Sequence, residues 1–321
     1  MDAAVLAHFG LTEADRLGSG WESHIFGLDQ TRILRIPNPE PGAEARVRER
    51  AAFSAGLPRM PFAVPCVQDI RYVEGTLVTI EDRIAGRAMS EMLPGLDGTR
   101  RRTALAAYLA VAEAMAAVRV EGDYGDLLVA EPVRRAHWGE YLAVRLQGFA
   151  ADEVLARDVP GLDAIVARLT ARLLALPDPV KCIVHGDIWP PNVMMDDDLR
   201  VTGLIDFSFT TRVGDTLMDL AGAVYFLQID NPRGAEDAGY LMELIEARHG
   251  AAVRDLFDPY AVWFAFSFAY NHEAAVVYAW CLDLIRRFRR VCAAQGQDAD
   301  GAVSEKGKVQ VSVARYLRTP P

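Results

Sequence analysis

The chain of 321 residues is long enough for a large core and, at about 150 residues per domain, for two domains. Apolar residues make up 51%, and Asp plus Glu outnumber Lys plus Arg by 44 to 34. The resulting formal charge of −10 argues against a broad nucleic-acid surface, which needs clustered positive charge. Cys66, Cys182, Cys281 and Cys292 form neither a Cys-x-x-Cys pair nor a zinc-spaced cluster, so a reducing compartment is expected and a structural metal is not. The start, MDAAVLAHFGLTEADR, lacks a basic segment followed by a long apolar run, and no signal peptide is expected. The most apolar stretch, Tyr260 to Leu282, is interrupted by Asn271, His272 and Glu273, which speaks against a membrane span. A cytoplasmic protein is expected.

From the N-terminus, Leu17-Gly18-Ser19-Gly20-Trp21 reads as a turn. The β-prone runs His24 to Leu28 and Arg32 to Ile36 form a hairpin, stopped by Pro37 and Pro39. Ala43 to Ala55, rich in Ala, Arg and Glu and free of breakers, is expected to be a helix. Two more β-prone runs follow, Phe62 to Ile70 and Gly75 to Ile80. The order β-β-α-β-β gives a small sheet with one helix. Beyond Gly86 the pattern turns helical: Leu105, Tyr108, Leu109, Ala112 and Met115 share one helix face. Further helices are expected near 137–150, 162–176, 215–229, 235–249, 258–290 and 304–317. One hairpin interrupts them, Asn192 to Met195 and Val201 to Ile205, around the acidic turn Asp196-Asp197-Asp198. It is the one β feature expected in the second half.

The chemistry gathers at this hairpin. Cys182-Ile183-Val184 leads into His185-Gly186-Asp187-Ile188-Trp189, and Pro190-Pro191 makes the loop rigid. Asn192 opens the first strand and Asp206 closes the second, so antiparallel pairing brings both to one end, beside Asp187. Two carboxylates and a carboxamide make an oxygen-rich site of the kind Mg²⁺ accepts when phosphate oxygens and water complete its shell.

His185-Gly186-Asp187, then Asn192, then Ile205-Asp206-Phe207 resemble the catalytic and metal-binding loops of the aminoglycoside phosphotransferase and choline-kinase-like family. Protein kinases, which share the fold, carry His-Arg-Asp and Asp-Phe-Gly at these places. The continuation Val213 to Ala221 is also similar to the small-molecule branch. The resemblance implies a bilobal α+β protein-kinase-like fold. It has a small N-terminal antiparallel sheet with one helix as nucleotide-binding lobe, 1–85, and a larger, mainly helical catalytic and substrate-binding lobe, 86–321.

It also implies roles. Asp187 is the catalytic residue that orients the acceptor hydroxyl and takes its proton, and Asn192 and Asp206 hold Mg²⁺. Gly18, Ser19 and Gly20 resemble the loop that covers the nucleotide phosphates. Arg35, in Ile33 to Ile36, stands where a basic residue holds the α- and β-phosphates, with Glu49 as its carboxylate partner and Glu44 as competitor. Val78 to Gly86, with Glu81 and Arg83, resembles the hinge that meets the base. His185 braces the loop, Asp215 suits a helix N-cap, and Asp219 suits the first turns of that helix.

The co-substrate implied is ATP or GTP. The acceptor is a small-molecule hydroxyl compound, possibly cationic: first an aminoglycoside or related antibiotic, otherwise a metabolite alcohol such as choline, homoserine or a methylthio-sugar. A catalytically silent nucleotide-binding module is a further alternative. Acidic and aromatic residues such as Asp230, Glu243, Glu246, Trp263, Tyr270, Glu273 and Trp280 are candidates to meet the acceptor.

Overall fold

The computed structural model describes residues 3–19 and 23–299. Gly20, Trp21 and the helix expected over 304–317 lie outside these residues. The chain runs α1 (Ala3–His8), β1 (Arg16–Ser19), β2 (Ser23–Gly27), β3 (Arg32–Pro37), α2 (Ala43–Gly56), β4 (Val67–Val73), β5 (Thr76–Asp82), β6 (Arg87–Ala88), α3 (Met89–Met92) and α4 (Gly98–Ala116). It continues through β7 (Tyr124–Asp126), β8 (Arg134–Arg135), α5 (Trp138–Ala150), α6 (Glu153–Asp158), α7 (Leu162–Leu174), β9 (Lys181–Val184), β10 (Val193–Met195), β11 (Val201–Leu204) and β12 (Arg212–Asp215). Helices α8 (Thr216–Phe226), α9 (Gly234–His249), α10 (Val253–Phe268) and α11 (Ala275–Ala299) follow. The chain forms two compact units, Met1–Tyr141 with Pro177–Leu227, and Leu142–Leu176 with Gln228–Pro321.

In the first unit, β1 to β5 make an antiparallel sheet in the order β1-β2-β3-β5-β4. Phe26, Leu34, Ile36, Val73 and Val78 of this sheet bury their side chains with Val5 and Leu6 of α1, a helix the sequence pattern did not reveal. The strand expected from Phe62 begins at Val67 instead, because Pro65 cannot donate to a ladder. The preceding segment is still tied down: Ala63 N–H donates to Thr202 O at 2.9 Å, and Ala63 O accepts from Leu204 N–H at 3.0 Å.

The hairpin β10–β11 forms with Val193 opposite Leu204, and β6 extends it to three strands. It is not the one β feature of the second half. A four-stranded sheet, β8-β7-β12-β9, pairs Val213 with Ile183 and Arg212 with Asp126. Its strands have two to four residues, too short to show a two-residue alternation. Helix α4 packs on α8 and β9 through the expected face, with Leu105, Tyr108, Leu109, Ala112 and Met115 all buried.

In the second unit, the single helix expected over 258–290 is two, α10 and α11. The break falls at the polar residues Asn271, His272 and Glu273, and His272 Nε2 is fixed to Asp152 Oδ1 at 3.0 Å. Trp263, one of the aromatic residues expected to meet the acceptor, is core: fully buried, its Nε1–H donates to Leu142 O at 3.0 Å. Among the described residues, no helix is long and apolar enough to cross a membrane.

Candidate active site

The loop between β9 and β10 is held from every side. Asp219 on α8 accepts the backbone N–H of His185 at Oδ2 and of Gly186 at Oδ1, each at 2.8 Å. Its carboxyl is buried, and burial raises its pKa to about 6 although both N–H groups and the Arg212 charge act the other way. The buried Tyr108 hydroxyl donates to Ile188 O at 2.6 Å, and Thr210 Oγ1 donates to His185 O at 3.0 Å. Gly186 has φ +78, and a Cβ there would strike the Thr210 carbonyl. Both facts explain a glycine before the aspartate.

His185 carries out the bracing expected of it. Burial lowers its pKa to about 4 against the pull of Asp206, so the ring is neutral. Nε2 faces Ile205 O at 3.0 Å and Nδ1 faces the Asp187 N–H at 3.2 Å, so the proton sits on Nε2. The ring meets Phe207 edge-on at 4.6 Å, and Phe207 in turn meets Phe53 of α2 at 5.6 Å.

Asp187, Asn192 and Asp206 come together. Asn192 Nδ2 donates to Asp187 Oδ2 and to Asp187 O, both at 3.0 Å, and Ile205 N–H pairs with Asn192 O at 2.9 Å. With its amide nitrogen so engaged, Asn192 has Oδ1 left over as an acceptor. Burial first, then the Asp206 charge, push the Asp187 carboxyl up to about 8, while the Asn192 amide pulls it down. Asp206 is exposed and adopts φ +70, a conformation rare for a residue with a side chain. Its carboxylate accepts no hydrogen bond from the described residues. All the candidate ligand atoms are oxygens, which fits a hard cation completed by phosphate and water. Among the described residues no group of three or more His, Cys, Asp or Glu could hold a metal alone.

Arg35 is held by Glu81. Its Nε donates to Glu81 Oε1 at 3.0 Å and its Nη1 to Ser23 Oγ at 3.0 Å. The expected partner Glu49 is exposed on α2 instead, and its competitor Glu44 pairs with Arg48 at 2.8 Å. Arg50 of α2 and the Thr79 hydroxyl also reach Glu81 Oε1, at 3.3 and 2.7 Å. Burial alone would raise the Glu81 pKa; Arg35, Arg50 and Thr79 together bring it below the usual carboxylate value.

The sequence profile of the phosphotransferase enzyme family, APH, matches residues 13–256. The chain belongs to this family. It is a phosphotransferase that uses a hydroxyl group as acceptor. No curated protein matches the sequence. Among solved structures, a thermostable mutant of aminoglycoside phosphotransferase APH(4)-Ia in its apo form is similar with a TM-score of 0.67 at 18% identity, over 91% of this chain and 99% of that one. A ternary complex of that enzyme with ADP and hygromycin B gives 0.64 at 18% identity, over 89% and 96%. The gentamicin complex of APH(2'')-IIa gives 0.58 at 15%, over 89% and 96%. At these identities the likeness is one of fold, the α+β protein-kinase-like one.

The remaining expected nucleotide residues of this phosphotransferase are spread along its sheet. Gly18 and Ser19 end β1, opposite Ile25 and His24. Arg83 is exposed, with its N–H on Thr31 O at 2.7 Å and Nη1 on Asp29 O at 3.2 Å. Glu81 is turned inward to Arg35 and is only 1% exposed, so its side chain does not present itself to a base. The sequence reading missed Asp219, Tyr108 and Thr210 as supports of the loop. For Asp219 a signal existed: an acid inside Leu217-Met218-Asp219-Leu220-Ala221, where its neighbours Met218, Leu220 and Ala221 are buried. Asp215 does cap α8 as expected, accepting the Leu217 N–H at 3.0 Å.

Proposed function

We propose that the protein transfers the γ-phosphate of ATP or GTP to a hydroxyl of an aminoglycoside or related antibiotic. The observation that carries the reaction is the half-buried Asp187 held by the buried Asn192 amide, with the exposed Asp206 carboxylate beside it. Residues 1–85 act as the nucleotide-binding lobe and residues 86–321 as the catalytic and substrate-binding lobe. Four scattered thiols support a cytoplasmic location.

The acceptor oxygen forms a bond to the γ-phosphorus as the bond from that phosphorus to the β,γ-bridging oxygen breaks, and the nucleoside diphosphate leaves. Asp187 orients the acceptor hydroxyl and receives its proton; a carboxylate with raised proton affinity suits that task. Asn192 fixes the Asp187 carboxylate through Nδ2, and His185 fixes the Asp187 backbone. Mg²⁺, held by Asn192 and Asp206, would neutralise charge on the phosphates. Arg35, anchored by Glu81 and Ser23, would hold the nucleotide phosphates. An in-line transfer of this kind depends on positioning more than on a strong base, which matches the number of bonds spent on keeping one loop rigid.

The acidic balance of −10 suits a cationic acceptor. The hygromycin B and gentamicin complexes of proteins with this fold point to the same class. A phosphotransfer screen with labelled ATP and GTP against aminoglycosides, macrolides, choline and homoserine tests this choice. Product with an aminoglycoside alone is expected. Product only with choline or homoserine would move the assignment to metabolite alcohols. Nucleotide binding without any product would indicate a silent member of the family.

A further inference from the structure

Arg212 carries a charge into the interior, where it is 4% exposed. It stands on β12 of the four-stranded sheet, with Val184 opposite it on β9 and Asp126 opposite it on β7. Val184 is the residue before His185, so Arg212 starts beside the entrance to the catalytic loop. Asp126, 1% exposed, accepts the Tyr141 hydroxyl at 2.6 Å with one oxygen and the Val133 N–H at 3.0 Å with the other.

The Arg212 side chain turns to the loop. Its Nε donates to Thr210 O at 2.7 Å, the carbonyl that a Cβ on Gly186 would strike, and its Nη2 comes within 3.2 Å of that Cβ position. Gly186 is thus clasped between the Thr210–Arg212 turn and Asp219 Oδ1, which accepts its N–H at 2.8 Å. The next residue is Asp187. The Arg212 charge also reaches Asp219, where it opposes the effect of burial. Tyr108 from α4, Cys182 from β9 and Asp187 from the loop interact with Asp219 as well, and none of these three supplies a positive charge.

We propose that Arg212 is a positioning residue for phosphate transfer: its charge keeps Asp219 an acceptor for the His185 and Gly186 N–H groups, and so keeps Asp187 in place. Without that charge the neutral acid is favoured, and its O–H would face one of the two N–H groups as a donor. The loop would then lose one of its two anchors on α8. The effect on transfer rests on the role given to Asp187 above. The brace itself does not.

The test compares wild type, Arg212→Met, Arg212→Lys, Asp219→Asn and the double variant Arg212→Met/Asp219→Asn. Two quantities are measured on the full chain: kcat and nucleotide KM with the acceptor found in the screen, and hydrogen exchange at the Gly186 amide. Arg212→Met is expected to lower kcat and to speed the exchange, each at least about tenfold, as for the loss of one buried hydrogen bond, with nucleotide KM changed little. Arg212→Lys, which keeps the charge, is expected to recover most of both. The double variant should be no worse than Asp219→Asn, since the amide has no charge to lose. Equal losses of kcat from Arg212→Met in the two backgrounds would overturn the proposal, and so would a lysine variant as impaired as the methionine one. A raised KM with kcat preserved would also overturn it. If Arg212→Met does not fold, Arg212→Lys decides against Asp219→Asn: a kcat near that of wild type with slow Gly186 exchange supports the charge role, and a loss as large as that of Asp219→Asn refutes it. Fast Gly186 exchange in Arg212→Met beside a normal rate in Asp187→Asn would contradict the role of Asp187 and still support the brace. Unchanged exchange in Arg212→Met refutes the brace whatever Asp187 does.

Discussion

Arg35 Nε donates to Glu81 Oε1 at 3.0 Å across neighbouring strands β3 and β5. Arg35 lies opposite Thr79, so Glu81 is its diagonal neighbour on the same face of the sheet. The same carboxylate oxygen also accepts from Arg50 and from the Thr79 hydroxyl, so three donors depend on it.

Replacing Glu81 with Gln is therefore expected to destabilise the protein by about 3 kcal/mol or more near neutral pH, as for a broken buried ion pair. The Glu81 pKa is lowered in the folded protein, so its contribution is present above the ordinary carboxylate range and fades as pH falls through the folded value. Urea unfolding of wild type and Glu81→Gln at pH 7 and at the lowest pH that keeps both folded should show the gap narrowing in acid. A gap independent of pH would mean that the carboxylate charge is not what stabilises the cluster.

Asp219→Asn replaces one of two acceptors with a donor facing a backbone N–H. One buried N–H then loses its partner, costing about 1–3 kcal/mol, and the loop that carries Asp187 loosens. We expect kcat to fall at least about tenfold while nucleotide affinity changes little. A fall confined to nucleotide affinity, measured by titration, would contradict the bracing role.

Asp206 combines φ +70 with an unengaged carboxylate, so the fold gains nothing visible from an aspartate there. Asp206→Gly is expected to raise the unfolding free energy by about 0.5–1 kcal/mol through relief of the left-handed backbone. It should at the same time remove the Mg²⁺ dependence of nucleotide binding. Thermal melting and a metal titration on one preparation measure both. A normal metal titration would place the ligand on another residue.

How much of this was legible in the sequence depends on distance along the chain. His185, Asp187, Asn192 and Asp206 lie on one loop and one hairpin, and antiparallel return alone brings Asn192 and Asp206 together. The helix face of Tyr108 was legible, but the use of its hydroxyl on Ile188 O was not, since it depends on how α4 packs against the loop. Naming Glu49 as the Arg35 partner, with Glu44 as competitor, followed the order of the family's elements. Registering Ile33 opposite Glu81 would have found the nearer carboxylate. The four-stranded sheet was hidden because its strands are short and come from four distant segments. The break at residues 269–274 was signalled by Asn271, His272 and Glu273, yet the bond that fixes His272 there, to Asp152, spans 120 residues.

The central claim is that Asp187 performs the acid–base part of phosphate transfer on a loop already rigid without substrate. Its most direct test is single-turnover transfer from labelled nucleotide to the acceptor found in the screen, comparing wild type with Asp187→Asn at saturating nucleotide. The account predicts a rate lower by about 10² or more, with nucleotide affinity nearly unchanged. A near-normal transfer rate in that variant would contradict it.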